Sequence, residues 1–132
     1  MTAPDGVSLK KILETRGVGG LERHIFLCTH SDCSGSEESS QASWSRLKSC
    51  LAEADVDRKV FRSQAKCLRV CTGGPVAVVY PEGVWYRDLK PEAVERVVRE
   101  HLLGGRVVEE LAFARDDLSG KKSRPPPRPG AV

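Results

Sequence analysis

The chain has 132 residues, of which 39% are apolar, and a formal net charge of +3. That length favours one domain around one core, and no stretch approaches the roughly 20 apolar residues of a membrane helix. From Arg115 onward five Lys/Arg face two Asp, so this tail alone carries the +3 and the remainder is neutral; a basic nucleic-acid footprint on the folded part is not supported, and no nucleic-acid partner is expected.

The N-terminus lacks the apolar h-region of a secretory signal, so a cytoplasmic location is expected. Five cysteines in a reducing compartment read as metal ligands or reactive thiols before disulfides, and their odd number argues against a fully paired set.

Residues 1–22 are weakly patterned. Leu9, Ile12 and Leu13 suit one or two amphipathic helical turns, and Gly17, Gly19 and Gly20 interrupt them, so a weakly ordered extension is expected. Arg23 to Cys28 forms the first strand, with Ile25, Phe26 and Leu27 as a continuous apolar run of the kind covered on both faces. A polar loop with Cys33 leads to Ser36, an N-cap candidate, and Glu37 and Glu38 fall where carboxylates suit a helix dipole. The helix runs to about Ala54, with Trp44, Leu47, Leu51 and Ala54 as its buried face. Cys50 lies on that face and reads as a small buried hydrophobe rather than a ligand.

Val56 to Ser63 is the second strand, joined to the first by a helix and therefore parallel to it. Val76 to Tyr80 is apolar throughout and reads as a central strand. Pro81-Glu82-Gly83 makes a hairpin to a fourth strand, Val84 to Tyr86. Pro91 opens a second helix with Val94, Val97, Val98, His101 and Leu102 as its stripe, and Gly104-Gly105 ends it. Residues 107–113 suit an edge strand or a dimer contact. From residue 114 a basic, proline-rich tail follows that cannot bury a core. The order is that of an α/β fold, a thioredoxin-like β-α-β-β-β-α sandwich over residues 23–113, between an extension at 1–22 and the tail at 114–132.

Two thiol pairs end two strands: Cys28-x4-Cys33, then Cys67-x3-Cys71. Structural zinc takes ligand pairs at such spacing. A 2Fe-2S cluster also needs four thiolates, two per iron, so spacing alone leaves zinc and iron–sulfur open. A thioredoxin redox centre needs Cys-x-x-Cys, which neither pair has.

With Ile25-Phe-Leu-Cys28, the two cysteine pairs, Gly74-Pro75-Val-Ala-Val-Val-Tyr-Pro-Glu-Gly-Val-Trp-Tyr86, Lys90-Pro-Glu92 and His101-Leu-Leu-Gly-Gly105, the chain resembles the thioredoxin-like 2Fe-2S ferredoxins and the small iron–sulfur subunit of bacterial NADH dehydrogenase. The likeness spans about 23–113. It implies a one-electron carrier with no enzymatic reaction of its own, a 2Fe-2S cluster ligated by Cys28, Cys33, Cys67 and Cys71, redox protein partners, and a homodimer. Lys66 stands where many members have a small residue, and Leu68, Arg69 and Val70 stand where small or flexible residues are common.

Reduction of such a cluster adds negative charge, so Lys66, Arg69 and Arg62 are candidates to favour it, and Thr29, His30 and Ser31 are candidate donors to sulfur. His30 as a ligand of a Rieske-type centre would require a second histidine and leave cysteines spare. His101, on a buried stripe, reads as a satisfied core histidine. Trp85 and Tyr86 read as packing residues before an electron-exit patch. Two other readings stand beside the carrier: an accessory subunit sensing redox or iron–sulfur status, and an interaction module stapled by zinc.

Overall fold

The computed structural model describes residues 8–30, 35–56, 58–70 and 72–120. Helix α1 (Leu9–Arg16) starts at Ser8, whose Oγ accepts the Lys11 N–H, and ends at Gly17 in the left-handed conformation. None of its residues is buried: Leu9, Ile12 and Leu13 turn 46%, 38% and 47% of their surface outward. The expected turns form as a helix whose apolar residues all remain partly exposed.

Strand β1 (Arg23–Cys28) pairs in parallel with β2 (Val60–Ala65), and helix α2 (Glu37–Ala54) joins them. Ser36 is the N-cap and accepts the Ser39 N–H. β2 begins later than its apolar content suggests. Asp55 takes a left-handed C-cap, and Lys59 N–H and Val60 N–H both return to the Val56 carbonyl. That turn consumes the residues expected to open the strand, and β2 runs on to within two residues of Cys67.

Strands β3 (Ala77–Tyr80) and β4 (Val84–Tyr86) form the expected hairpin, and β3 is central in the sheet order β2-β1-β3-β4-β5. Helix α3 (Pro91–Val97) passes into a π-type turn over Val98–Leu103. Of the stretch 107–113 only Ala112 and Phe113 enter a strand, β5 (Ala112–Arg115), an antiparallel edge strand on β4. It runs past residue 114, where the sequence places the start of the tail, because Arg115 pairs with Val84. At the hairpin Gly83 has φ +71, and its carbonyl accepts the Asp116 N–H. A Cβ there would collide with the Asp116 carbonyl.

One face of the sheet meets the helices. Ile25, Leu27, Val60, Ala77, Val79, Val84 and Tyr86 share a cluster with Trp44, Leu47, Cys50 and Leu51 of α2 and Val94, Val97, Val98 and Leu102. The alternate residues of β1 point the other way. Phe26, whose apolar neighbours suggest cover on both faces, is instead half-buried, stacked on His24 at 4.1 Å and edge-on to Tyr80 at 6.1 Å. Residues 121–132, which carry the Pro-rich run, lie outside the described residues.

Candidate metal centre

Cys28 closes β1 on the face turned away from the helices. Its N–H donates to the Val76 carbonyl at 2.8 Å, and the residue is 2% exposed. It packs with Val76, and Leu68, Val70 and Trp85 lie against the pair. In the register Cys28 stands opposite Ala65, the last residue of β2. The Ala65 carbonyl then accepts both the Thr29 N–H (2.9 Å) and the Thr29 hydroxyl (3.2 Å), which binds the two strand ends together.

Cys67 follows two residues later and is exposed. Leu68 and Val70, half-buried, turn inward onto Cys28 and Val76, while Arg69 between them faces solvent. Arg69 holds φ +69, and its N–H donates to Cys67 Sγ at 3.2 Å. Beyond position 71, Gly73 accepts the Asp88 N–H (2.8 Å) and Pro75 the Leu89 N–H (3.0 Å). Ser43 of α2 donates to the Leu89 carbonyl, so the loop after the thiols is moored to the helical side of the fold.

The fold thus brings two of the four expected ligands, Cys28 and Cys67, to the same end of the sheet. Cys33 and Cys71 lie outside the described residues, as does Ser31. Among the described residues no three His, Cys, Asp or Glu gather as a metal site. The donor set suits a thiolate-held group: two thiols at one strand end, an apolar floor beneath them, and a backbone N–H aimed at one sulfur.

Two candidates for tuning the site are corrected. The Thr29 hydroxyl is committed to Ala65. Arg62 pairs across from Ile25 and lies on the helix side of β2, with its guanidinium 5.9 Å from the Trp44 ring; it is on the opposite face from Cys28. The Arg69 amide is the donor that side-chain reasoning misses, because nothing in residue type marks a backbone group.

The remaining candidates pack. Cys50 lies in the α2–α3 seam, where burial pushes its thiol up against the opposing influence of Arg46. Tyr86 and His101 are fully buried. Val108 N–H donates to the Tyr86 oxygen (3.0 Å), and Tyr86 OH meets His101 Nδ1 (2.8 Å). His101 Nε2 meets Glu82 Oε1 (3.2 Å), and Arg23 closes the chain on Glu82 (3.0 Å). Because the Glu82 carboxylate can only accept, Nε2 of the neutral His101 carries the proton, and Nδ1 accepts from the Tyr86 hydroxyl. Burial holds its pKa down. Burial would raise the Glu82 carboxyl, but Arg23 and His101 hold it below its ordinary value. Arg23 and Glu82 lie at the β1 start and the β3–β4 turn, the far end of the sheet from Cys28. Tyr86 instead starts in register with Ala77 and Leu27, on the helix face near the Cys28 end, and its hydroxyl joins the network through His101. Trp85 is half-buried between the Cys28 cluster and Phe113, whose ring it meets edge-on at 6.4 Å.

No described helix is long and apolar enough to cross a membrane. No family model matches the chain. It is 33% identical over 105 residues to a 2Fe-2S ferredoxin of Aquifex aeolicus, covering 74% of this chain and 95% of that protein. It is 33% identical over 96 residues to a 2Fe-2S ferredoxin of Clostridium pasteurianum, covering 68% and 94%. Among solved structures, a thioredoxin-like [2Fe-2S] ferredoxin from Aquifex aeolicus superposes with a TM-score of 0.63 at 29% identity, over 72% of this chain and 93% of that one.

Proposed function

The chain belongs to the thioredoxin-like 2Fe-2S ferredoxins, and from that membership we propose that it is a one-electron carrier whose cluster is held by Cys28, Cys33, Cys67 and Cys71. When bound, a 2Fe-2S cluster supplies reversible one-electron chemistry, its potential set by net charge, hydrogen bonds to sulfur and exposure. The observation that carries the reading is the convergence of Cys28 and Cys67 at one sheet end, with Cys67 Sγ receiving an N–H.

The chain's own residues divide the work. Val76, Leu68, Val70 and Trp85 shield the Cys28 side from water. The exposed loop at Cys67 leaves the other side open to a partner. Lys66 and Arg69, both exposed, add positive charge beside thiolates. An electron carrier needs a short approach and quick release, which suits a small interface with a redox protein. A reducing cytoplasm would keep such thiols available as ligands, and we assign the protein there, as a homodimer. Its role is electron transfer rather than conversion of a substrate.

Anaerobically purified protein should be brown, contain about two irons and two labile sulfides per chain, and bleach with dithionite. A colourless protein with bound zinc would overturn the carrier. Light scattering tests the dimer, and a monomeric mass would remove it.

A further inference from the structure

The loop between Cys67 and position 71 carries a cationic residue where a charge effect on the cluster is the obvious reading. The geometry gives a different one. Arg69 sits at φ +69, a conformation that side-chain-bearing residues rarely adopt. Leu68 and Val70 on either side of it both pack back onto Cys28 and Val76, which anchors the loop to the Cys28 side of the sheet while the chain turns at Arg69. That turn aims the Arg69 N–H at Cys67 Sγ, 3.2 Å away, while the guanidinium is exposed and makes no ion pair among the described residues.

We infer that Arg69 is a positioning residue acting through its backbone: the left-handed turn presents a fixed N–H dipole to the Cys67 sulfur, and this, not the guanidinium charge, biases the cluster toward its reduced form. The inference rests on the ferredoxin reading and says which group of this loop sets the electron affinity. A donor to a ligand sulfur stabilises the added negative charge on reduction. An exposed guanidinium on a flexible stem is screened by water and salt and contributes little.

Three neutral substitutions separate the two effects. Arg69→Gly and Arg69→Asn tolerate positive φ and keep the amide in place. Arg69→Val resists it, because a β-branched residue is strained there. We expect Arg69→Gly and Arg69→Asn to keep the wild-type midpoint potential, and Arg69→Val to shift it negative. An equal negative shift in all three would overturn the inference in favour of charge.

A second measurement does not depend on the Arg69→Val variant loading its cluster. Pulsed EPR on dithionite-reduced wild-type protein, grown with nitrogen-15 arginine, should show a peptide-nitrogen coupling to the cluster spin. That coupling should vanish in Arg69→Gly. No coupling in the wild type, or one that survives in Arg69→Gly, overturns the inference and leaves the carrier standing. A preparation that binds no iron overturns the carrier itself, and this inference with it.

Discussion

From the hairpin end of the sheet a chain of polar contacts runs across the helix face: Arg23, Glu82, His101, Tyr86 and the Val108 amide are each partnered. At the other end a buried thiol and an exposed thiol lie over an apolar floor, with a backbone N–H turned to sulfur. No buried side-chain N or O lacks a partner among the described residues, so the hairpin end keeps no buried polar side chain free for a ligand. A buried polar group whose bonds are all made internally holds the fold in one arrangement. Sulfur, a weak acceptor, can be buried without that obligation and stays available. The same sheet therefore carries a locked end and a receptive end.

The sharpest way to break the comparison is at the receptive end. Cys28→Ala and Cys67→Ala, which leave no ligating atom, should each abolish the stable cluster, read as iron and sulfide content, whereas Cys50→Ala should keep both. Cluster retention in the first two would remove them from the ligand set.

In the locked network Tyr86→Phe leaves the Val108 N–H without its acceptor and His101 Nδ1 without its donor. Leaving buried groups unpaired costs about 1–3 kcal/mol. Urea melts should show that loss while the midpoint potential stays at the wild-type value; a shifted potential would mean that the network and the thiol site are coupled.

The pH response sharpens it further. His101 has a folded pKa below its ordinary 6.5, so the unfolded chain takes up a proton first as pH falls through 6.5, and folding stability declines from there. Glu82, held below its ordinary 4.5, supports the fold above that pH, and its contribution is lost on further acidification. Both effects weaken the fold in acid. Urea midpoints measured from about pH 8 down to 4 should therefore fall in two stages, and His101→Gln should shrink the first to the share left by His24, whose pKa burial also holds below 6.5. A midpoint flat through 6.5 in the wild type would contradict this.

The smallest effect belongs to neither end. Ile12 on α1 is 38% exposed and not part of the core. Ile12→Ser should change stability by under about 0.5 kcal/mol; a larger loss in a urea melt would show that this stripe is covered in solution.

Much of the fold is legible in the residues themselves. The bounds of β1, the Ser36 cap, the β3–β4 hairpin and the stripe of Val94, Val97, Val98, His101 and Leu102 follow from apolar spacing and turn chemistry. The start of β2 is not, because Val56 looks like strand while Asp55, in a left-handed cap, sends the chain round a turn first. The π-type turn has no sequence signature. At the site, cysteine spacing points to the thiols, but charge counting also names Arg62, which the strand register turns to the other face. The Arg69 amide is invisible at that level because side-chain identity encodes no backbone direction; it emerges only from the left-handed turn at Arg69.

The hairpin glycine has a reach beyond its own turn. Because the Asp116 carbonyl occupies the space where a side chain at Gly83 would stand, any larger residue there pushes β5 away from its seat. β4 would then present an unzipped row of amides and carbonyls to its surroundings, an invitation to foreign strands and to clumping. One missing methyl thus keeps the margin of the molecule sealed.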